Sequence, residues 1–188
     1  VDKKDLRREY RFGALEFSDL DKSPFQQFAK WFKAADEAGL TDVSAMALAT
    51  CDSSTKPSVR IVLLKHFDET GLCWYTDYSS LKGRQLAEND RCEVLFYWKE
   101  LERQVRISGR VIKLSADESD RYFLSRPIES QIAASVSHQS QPIENRELLD
   151  GRAEELVSGL NVVSLDRPDR WGGYRLIPEE YEFWQGRE

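Results

Sequence analysis

Short apolar segments separated by turn-forming residues dominate the middle of this 188-residue chain. Residues 44–51 and 58–65 are two such segments, and the polar stretch 52–57 lies between them. Apolar runs of this length, bounded by Asp, Ser and Pro, predict the two strands of a β-hairpin. Further strands are predicted at 72–76, at 92–98 with 103–113, and as a last pair at 174–177 and 180–185.

Helical patterns interrupt these strands. Ser23 as N-cap, Pro24 in the first turn and apolar residues at helical spacing predict a helix that ends at Gly39. Residues 80–89 also read as a helix, and Ser115 opens another with a capping box. A helical pattern then runs from Pro127 to about Val157, with a break near residues 137–142.

The order of these elements indicates a fold class. Strands follow one another as hairpins, and the βαβ alternation of a parallel sheet is missing. We therefore expect a mainly β, α+β fold, in which an antiparallel sheet or barrel carries peripheral helices.

Composition excludes several classes of function. A net charge of −6 argues against a nucleic-acid footprint, so any anion site must come from a local cluster of Arg and Lys. With only His66 and His138 present, a site with several histidine ligands for a metal is not expected. The sequence also lacks the G-x-S-x-G and H-E-x-x-H motifs of hydrolases.

The cysteines and the hydropathy of the sequence indicate the cellular compartment. Cys51, Cys73 and Cys92 are odd in number and form no C-x-x-C pair, which favours free thiols in a reducing compartment. No run of about 18 apolar residues is present, so no membrane span is expected. Residues 1–20 are charged throughout, unlike a signal peptide, and the cytoplasm is the expected location.

Several basic residues stand in unusual positions. Arg60 and Lys65 share an apolar strand, where an unpaired charge is costly, although both could also lie at strand ends in solvent. Lys82 follows Ser79 and Ser80 at a predicted helix start, which suits a phosphate group. The alternative is a solvated helix start. Because the sequence lacks the glycine-rich loops that bind nucleotides, phosphate capture must come from side chains such as these.

A second candidate cluster lies further along the chain. Tyr122, Arg126 and Ser130 are spaced four residues apart and would form a phosphate clamp on one face of a continuous helix. Pro127 interrupts that helix, and the alternative is an exposed Arg126 beside a second helix.

A set of short motifs occurs along the chain in a characteristic order. These motifs are Arg7-Arg8-Glu9-Tyr10, Arg60-Ile61-Val62-Leu63-Leu64-Lys65, Glu102-Arg103-Gln104-Val105, Ser125-Arg126-Pro127, Ser130-Gln131-Ile132, Val136-Ser137-His138-Gln139-Ser140, Trp171-Gly172-Gly173-Tyr174 and Glu182-Phe183-Trp184-Gln185-Gly186. From about residue 7 to residue 186 the chain resembles the pyridoxamine 5'-phosphate oxidase family.

The resemblance implies an FMN-binding split β-barrel that works as a homodimer with FMN in the subunit interface. It also implies a set of FMN contacts: Arg60, Ile61, Val62, Leu63, Leu64, Lys65, Tyr75, Thr76, Lys82, Gln104, Gln139, Ser140 and Trp184. Within this set, Arg60 and Lys82 would meet the FMN phosphate.

The same resemblance implies the substrate contacts. The substrate phosphate would meet Lys65, Tyr122, Arg126 and Ser130. An N-terminal arm, residues 1–22, would close over the pyridine ring through Arg7, Arg8, Glu9 and Tyr10, and residues 23–188 would form the barrel domain.

Two positions depart from the family pattern. Leu81 stands where an Arg usually precedes the lysine that matches Lys82, so one phosphate contact is expected to be lost. The family pattern also continues beyond the Trp-Gln-Gly motif with an Arg-x-His-Asp-Arg segment, whereas this sequence has Arg187 and Glu188 after Gly186.

The activity implied is oxidation of pyridoxamine or pyridoxine 5'-phosphate to pyridoxal 5'-phosphate, with hydride transfer from C4' to flavin N5 and reoxidation by dioxygen to give hydrogen peroxide. No side chain is assigned as an obligatory catalytic base. Two rival hypotheses are another split-barrel flavin oxidase, acting on phenazine precursors, and a non-catalytic protein that binds FMN or pyridoxal phosphate. No membrane or nucleic-acid partner is expected.

Four aromatic residues of the predicted strands are candidates for a homodimer interface. Trp74, Phe96, Tyr97 and Trp98 could cover a dimer interface, where aromatic residues are enriched. The alternative is that they fill the barrel interior, as alternate strand positions do.

Overall fold

The computed structural model describes residues 14–158 and 165–187. Arg7, Arg8, Glu9 and Tyr10, the motif of the predicted arm, lie outside these residues.

One antiparallel seven-stranded sheet dominates the fold, with strand order β2-β1-β5-β6-β7-β4-β3. The strands are β1 (Ala45–Cys51), β2 (Pro57–Leu63), β3 (His66–Asp68), β4 (Gly71–Asp77), β5 (Arg91–Trp98), β6 (Arg103–Lys113) and β7 (Trp171–Gln185). The predicted α+β class with an antiparallel sheet is confirmed.

The β1–β2 hairpin forms where the sequence predicts it. Cys51 pairs with Pro57, and the Asp52 carboxylate accepts hydrogen bonds from the backbone N–H groups of Ser54 and Lys56. An Asp side chain that caps its own turn in this way mimics a backbone turn, which explains why the polar stretch reverses the chain here.

The sheet must curl, because its two edge strands are consecutive in sequence. Only Leu64 and Lys65 separate β2 at one edge from β3 at the other. A chain extends at most about 3.6 Å per residue, so this connection brings the edges to within about 11 Å of each other. The Leu64 N–H donates to Ser44 on one side (2.8 Å) and the Lys65 N–H to Cys73 on the other (2.9 Å). The result is a half-open barrel.

The C-terminal strands differ from the prediction. The two strands expected at 174–177 and 180–185 are one strand, β7, which pairs with β4 and with β6. Its pairing with β6 shifts register at Ser108 and Gly109, opposite Pro178. Proline is tolerated at such a bulge, so Pro178 marks an irregularity within a strand, not a turn between two strands.

In the described part of the chain, five α-helices accompany the sheet: α1 (Pro24–Glu37), α2 (Leu81–Glu88), α3 (Ala116–Ser125), α4 (Ile128–Val136) and α5 (Arg146–Ser158). The predicted caps are present, since Ser23 accepts from the Gln26 N–H and Ser115 forms a capping box with Glu118. The interruption at Pro127 is also confirmed. Helix α3 ends at Ser125 and Arg126 is extended, so Tyr122, Arg126 and Ser130 do not share one helix.

The core lies between the curled sheet and α1. The Phe28 ring of α1 packs 5.1 Å from that of Phe96, and Trp74 is fully buried. Phe96 and Trp98 are buried too, so the hypothesis that these three aromatic residues cover an interface is wrong. Tyr97 alone of the four points outward, with 58% of its surface exposed. Within the described ranges, no helix combines the length and apolar character needed to cross a membrane.

Candidate functional site

A cavity of about 500 Å³ opens between the curled edge of the sheet and the helices. Strands β2, β4 and β7 and helices α2, α3 and α4 contribute its walls. Its lining residues are Arg60, Ile61, Val62, Leu63, Lys65, Tyr75, Thr76, Lys82, Tyr122, Arg126, Pro127, Ser130, Gln139 and Trp171. We call this space the site cavity.

Lys82 is a buried cation in the first turn of α2. Its Nζ donates to the Thr76 hydroxyl (3.0 Å), the Ser80 hydroxyl (3.2 Å) and the Gln139 side-chain oxygen (2.9 Å). All three acceptors are neutral. Burial, and after it the positive charge of Arg60, lowers the pKa of Lys82 to about 8.

Arg60 lies on β2, and its side chain is fixed by hydrogen bonds to the neighbouring strand β1. Its Nη1 donates to the Leu48 carbonyl (3.0 Å) and to the Thr50 hydroxyl (2.6 Å), and Thr50 in turn donates to Gln85 (2.6 Å). Thr50 and Gln85 are each 3% exposed, so a buried polar network orients this guanidinium. Partial burial lowers the pKa of Arg60, which nevertheless stays charged because its ordinary value is so high.

Arg126 forms a second cationic centre on the same cavity. Its guanidinium carbon lies 4.7 Å from the centre of the Trp171 ring, and its Nη1 is buried without a hydrogen-bond partner. A buried donor left unpaired costs free energy that a bound acceptor recovers. Lys65, Tyr122 and Ser130 lie on the same cavity and carry further donors.

Aromatic rings form one wall. The rings of Tyr75 and Tyr122 stack with centres 3.8 Å apart and planes 17° apart, and the Trp171 ring lies nearly parallel to both. Burial raises the pKa of Tyr75 to about 12 and also raises that of Tyr122, so both phenols stay neutral near pH 7. This wall suits contact with a flat ring.

Gly173 explains part of the Trp-Gly-Gly-Tyr motif. A Cβ on this residue would lie 2.8 Å from the Tyr75 ring and 2.4 Å from the Leu114 side chain. Only a glycine lets β7 pass so close to the ring that lines the cavity.

The cavity unites most of the predicted site residues and adds two. Trp171 and Pro127 line it although neither is among the residues predicted to do so. For Trp171 the only signal in the sequence was its motif, which reveals nothing about where the ring points.

Four predicted residues do not line the cavity: Leu64, Gln104, Ser140 and Trp184. Leu64 is buried in the core at 5% exposure. Gln104 and Trp184 are direct partners across β6 and β7, on another part of the sheet. Their assigned roles stay predictions.

The charge of the site cavity decides which ligands it suits. Arg60, Lys65, Lys82 and Arg126 line it, and among the described residues none that lines it is acidic. Among residues 14–158 and 165–187, none of these four cations forms an ion pair. Lys82 is buried and Arg60 and Arg126 are half-buried, and cations removed from water without a partner are costly, so the cavity favours anions. Two cationic centres and an aromatic wall suit anionic ligands that carry a flat ring.

Comparisons with known proteins agree with this geometry. A family model described as pyridoxamine 5'-phosphate oxidase matches residues 32–158. A second model, described as the pyridoxine 5'-phosphate oxidase C-terminal dimerisation region, matches residues 171–188. The pyridoxine/pyridoxamine 5'-phosphate oxidase of Paraburkholderia phytofirmans is 52% identical over 97% of this chain and 85% of its own length. The protein of the same name from Burkholderia mallei is 51% identical over the same shares.

Solved structures share the fold. PhzG from Burkholderia lata, in complex with tetrahydrophenazine-1-carboxylic acid, superposes with a TM-score of 0.87 at 34% identity over 95% of this chain and 89% of its own. A pyridoxamine 5'-phosphate oxidase-related, FMN-binding protein from Nostoc punctiforme gives a TM-score of 0.69 at 15% identity, over 88% of this chain and 87% of its own. The second likeness supports the split-barrel fold alone.

The lowered pKa of Lys82 predicts how anion binding depends on pH. FMN affinity should be constant near pH 7 and fall from about pH 8 upward, by at most about tenfold per pH unit, because Lys82 loses its charge there. The phosphate group does not contribute, since its second pKa is about 6. Titration of flavin fluorescence from pH 7 to pH 9.5 measures this.

Lys82→Met should bind FMN more weakly and with a flat profile over the same range. Lys56→Met, which removes an exposed lysine from the β1–β2 turn, is the matched control and should keep the wild-type profile. An unchanged slope in Lys82→Met would show that another group titrates.

Proposed function

The chain belongs to the pyridoxamine 5'-phosphate oxidase family, and from this premise we propose that it is an FMN-dependent oxidase that makes pyridoxal 5'-phosphate. Its substrate is pyridoxamine 5'-phosphate or pyridoxine 5'-phosphate. With the amine, one dioxygen and one water are consumed, and the aldehyde, ammonia and hydrogen peroxide are released. The observation that carries the proposal is the site cavity, which combines separate cationic centres with an aromatic wall and has no acidic side chain among its described lining residues.

Arg60 and Lys82 are the proposed anchors of the FMN phosphate. They lie close enough for the charge of one to lower the pKa of the other, and a phosphate dianion between them would relieve that repulsion. Thr76 and Gln139, which now accept from Lys82, add polar contacts. When bound, FMN supplies the ring that takes up two electrons and passes them to dioxygen.

Arg126, Lys65, Tyr122 and Ser130 are the proposed anchors of the substrate phosphate. Arg126 is suited to this role because its buried Nη1 lacks an acceptor. The bound phosphate would then orient the substrate, so that its C4' is positioned for the reaction and less orientational entropy is lost in the reacting step. Leu81, where the family pattern has an Arg, is 41% exposed, so we propose that Lys82 and Arg60 anchor the FMN phosphate without a third cation.

A second candidate function is oxidation of a phenazine precursor. This candidate is supported by the structural similarity to PhzG, which was solved in complex with tetrahydrophenazine-1-carboxylic acid. The number of cations argues against it, because a single carboxylate leaves the clamp around Arg126 only partly neutralised, whereas a phosphate carries about two negative charges.

We further propose a homodimer that buries an apolar sheet face. This face comprises Val59, Ile61 and Leu63 on β2 and Tyr97 on β5, which are 70%, 65%, 41% and 58% exposed. The match to a dimerisation region over residues 171–188 supports it. Tyr97, Gln104 and Trp184 lie side by side across β5, β6 and β7, so Gln104 and Trp184 are proposed to reach the FMN held by the second copy.

Two further expectations remain proposals. The arm residues Arg7, Arg8, Glu9 and Tyr10 are proposed to cover the bound substrate. A cytoplasmic location is supported by the free state of all three cysteines.

The proposed activity is tested on the purified protein supplied with FMN. We expect about one FMN per chain and formation of pyridoxal 5'-phosphate and hydrogen peroxide from pyridoxamine 5'-phosphate. Tetrahydrophenazine-1-carboxylic acid is assayed in parallel. Preferred oxidation of that compound would favour the second candidate, and FMN binding without turnover of either would leave a non-catalytic binding protein.

Arg126→Ala should weaken binding of the substrate and leave binding of FMN unchanged. A charge-assisted hydrogen bond contributes roughly 1.5–3 kcal/mol, so KM should rise about ten- to a hundredfold while FMN affinity holds. Steady-state kinetics and flavin titration measure the two effects. Arg121→Ala, which removes an arginine of helix α3 that lies outside the site cavity, is the control. If FMN affinity falls while KM holds, the two phosphate sites are assigned in reverse.

Val59→Asp should dissociate the proposed dimer. A buried, unpaired carboxylate costs several kcal/mol, so self-association should weaken at least about a hundredfold. Analytical ultracentrifugation with and without FMN measures this. Leu148→Asp, which changes an apolar residue of α5 that is 40% exposed, should leave the dimer intact. A Val59→Asp protein that remains dimeric would place the interface elsewhere.

A further inference from the structure

Arg126 is half-buried, and it is held in place without a carboxylate partner. Within the described part of the chain no carboxylate pairs with it, and its Nη1 has no hydrogen-bond partner. Its guanidinium carbon lies instead 4.7 Å from the Trp171 ring centre, and the Phe123 ring is further away at 6.0 Å. An aromatic face attracts the flat side of a guanidinium and leaves the N–H groups at its edge available.

The backbone of Trp171 is anchored on both sides. Its N–H donates to the Pro168 carbonyl (2.8 Å), and its own carbonyl accepts from Arg167 Nη1 (2.5 Å). Trp171 also pairs with Asp77 at the end of β4. These contacts leave the residue, which is 4% exposed, little freedom to move.

The orientation of the Trp171 ring is set by its neighbours. It lies 5° from the plane of Tyr122 and 13° from that of Tyr75, at ring-centre distances of 6.2 and 5.6 Å. Phe123 meets it edge-on, at 5.3 Å and 67°. The face that Trp171 turns toward Arg126 is therefore determined by packing, whether or not a ligand is present.

We propose that Trp171 is a positioning residue for Arg126, and thereby a determinant of affinity for phosphorylated substrates. The proposal rests on the assignment of Arg126 to the substrate phosphate. Trp171 holds the guanidinium plane so that its edge faces the site cavity, and it does this without using any of the donors that the phosphate needs. A carboxylate in the same place would hold the plane equally well but would occupy those donors.

The competing explanation is that Trp171 only fills space in the small core between α3, α4 and β7. Removal of the ring would then lower stability and change affinity independently of Arg126. A double-mutant cycle separates these explanations, because a residue that acts through Arg126 has no effect on affinity once Arg126 is gone.

The experiment uses the FMN-loaded enzyme and measures binding of pyridoxal 5'-phosphate by calorimetry. Trp171→Leu should raise the dissociation constant about two- to thirtyfold, the range expected for a cation–π contact, with KM raised and kcat largely kept. In the Arg126→Ala background the same change should have an effect below twofold. Trp171→Phe, which keeps an aromatic face, should restore most of the affinity.

Trp98→Leu is the matched control, since it removes another ring that is 4% exposed, from the main core. It should lower the melting temperature and leave affinity unchanged. If Trp171→Leu does not fold, the cycle is run with Trp171→Met, which keeps more of the side-chain volume but also lacks an aromatic face, and the same outcomes are expected. Equal losses with and without Arg126 would overturn the inference. A wild-type enzyme that neither binds pyridoxal 5'-phosphate nor forms it would instead overturn the proposed function.

Discussion

Two residues, Leu64 and Lys65, join the opposite edges of a seven-stranded sheet, and the site depends on this short connection. Because the link spans only about 11 Å, the sheet has to curl until β2 faces β4. That closure brings Arg60, from the middle of β2, to the same cavity as Tyr75 and Thr76 of β4. It also turns the link itself into part of the wall, with Leu64 buried in the core and Lys65 on the cavity side. A longer loop would allow a flatter sheet and would separate these groups.

The curling of the sheet brings the cationic side chains of the site cavity together without an acidic partner, and this costs free energy of folding. Lys82 is only 8% exposed and has hydroxyl and amide oxygens as acceptors instead of a carboxylate. The pKa of Lys82 is lowered for the same reason, since burial and the charge of Arg60 both disfavour the protonated amine. An acidic partner would stabilise the empty protein but would compete with an incoming phosphate. The protein thus gives up some stability to keep the site open to anions, a trade-off typical of functional sites.

Local rules predict a large part of this fold but not its closure. The β1–β2 hairpin and the capping box at Ser115 depend on residues within a few positions, and both are confirmed. The sequence around Pro178 predicts a turn although the strand continues, because a bulge inside a paired strand resembles a turn until its partner strand is known. Trp171 was not predicted as part of the cavity for a related reason, since the direction of its ring depends on Tyr75 and Tyr122, which lie far away in the sequence. The motifs of the family located most cavity residues, but they could not show that Gln104 and Trp184 lie on a different part of the sheet.

The two arginines of the cavity are held by different means, and the difference fits their proposed ligands. Arg60 is fixed through Nη1 hydrogen bonds to Leu48 and Thr50 and a longer Nη2 hydrogen bond to Gln85 (3.5 Å), which orient the group but occupy part of its donors. Such a rigid, partly satisfied cation suits a cofactor that stays bound through many turnovers. Arg126 rests on the face of Trp171, with Nη1 left unpaired. A guanidinium held by its face keeps its edge free, so it can gain and lose a phosphate at each turnover without breaking a hydrogen bond to the protein. The aromatic support thus gives the substrate site the orientation it needs while leaving the exchange of ligands fast.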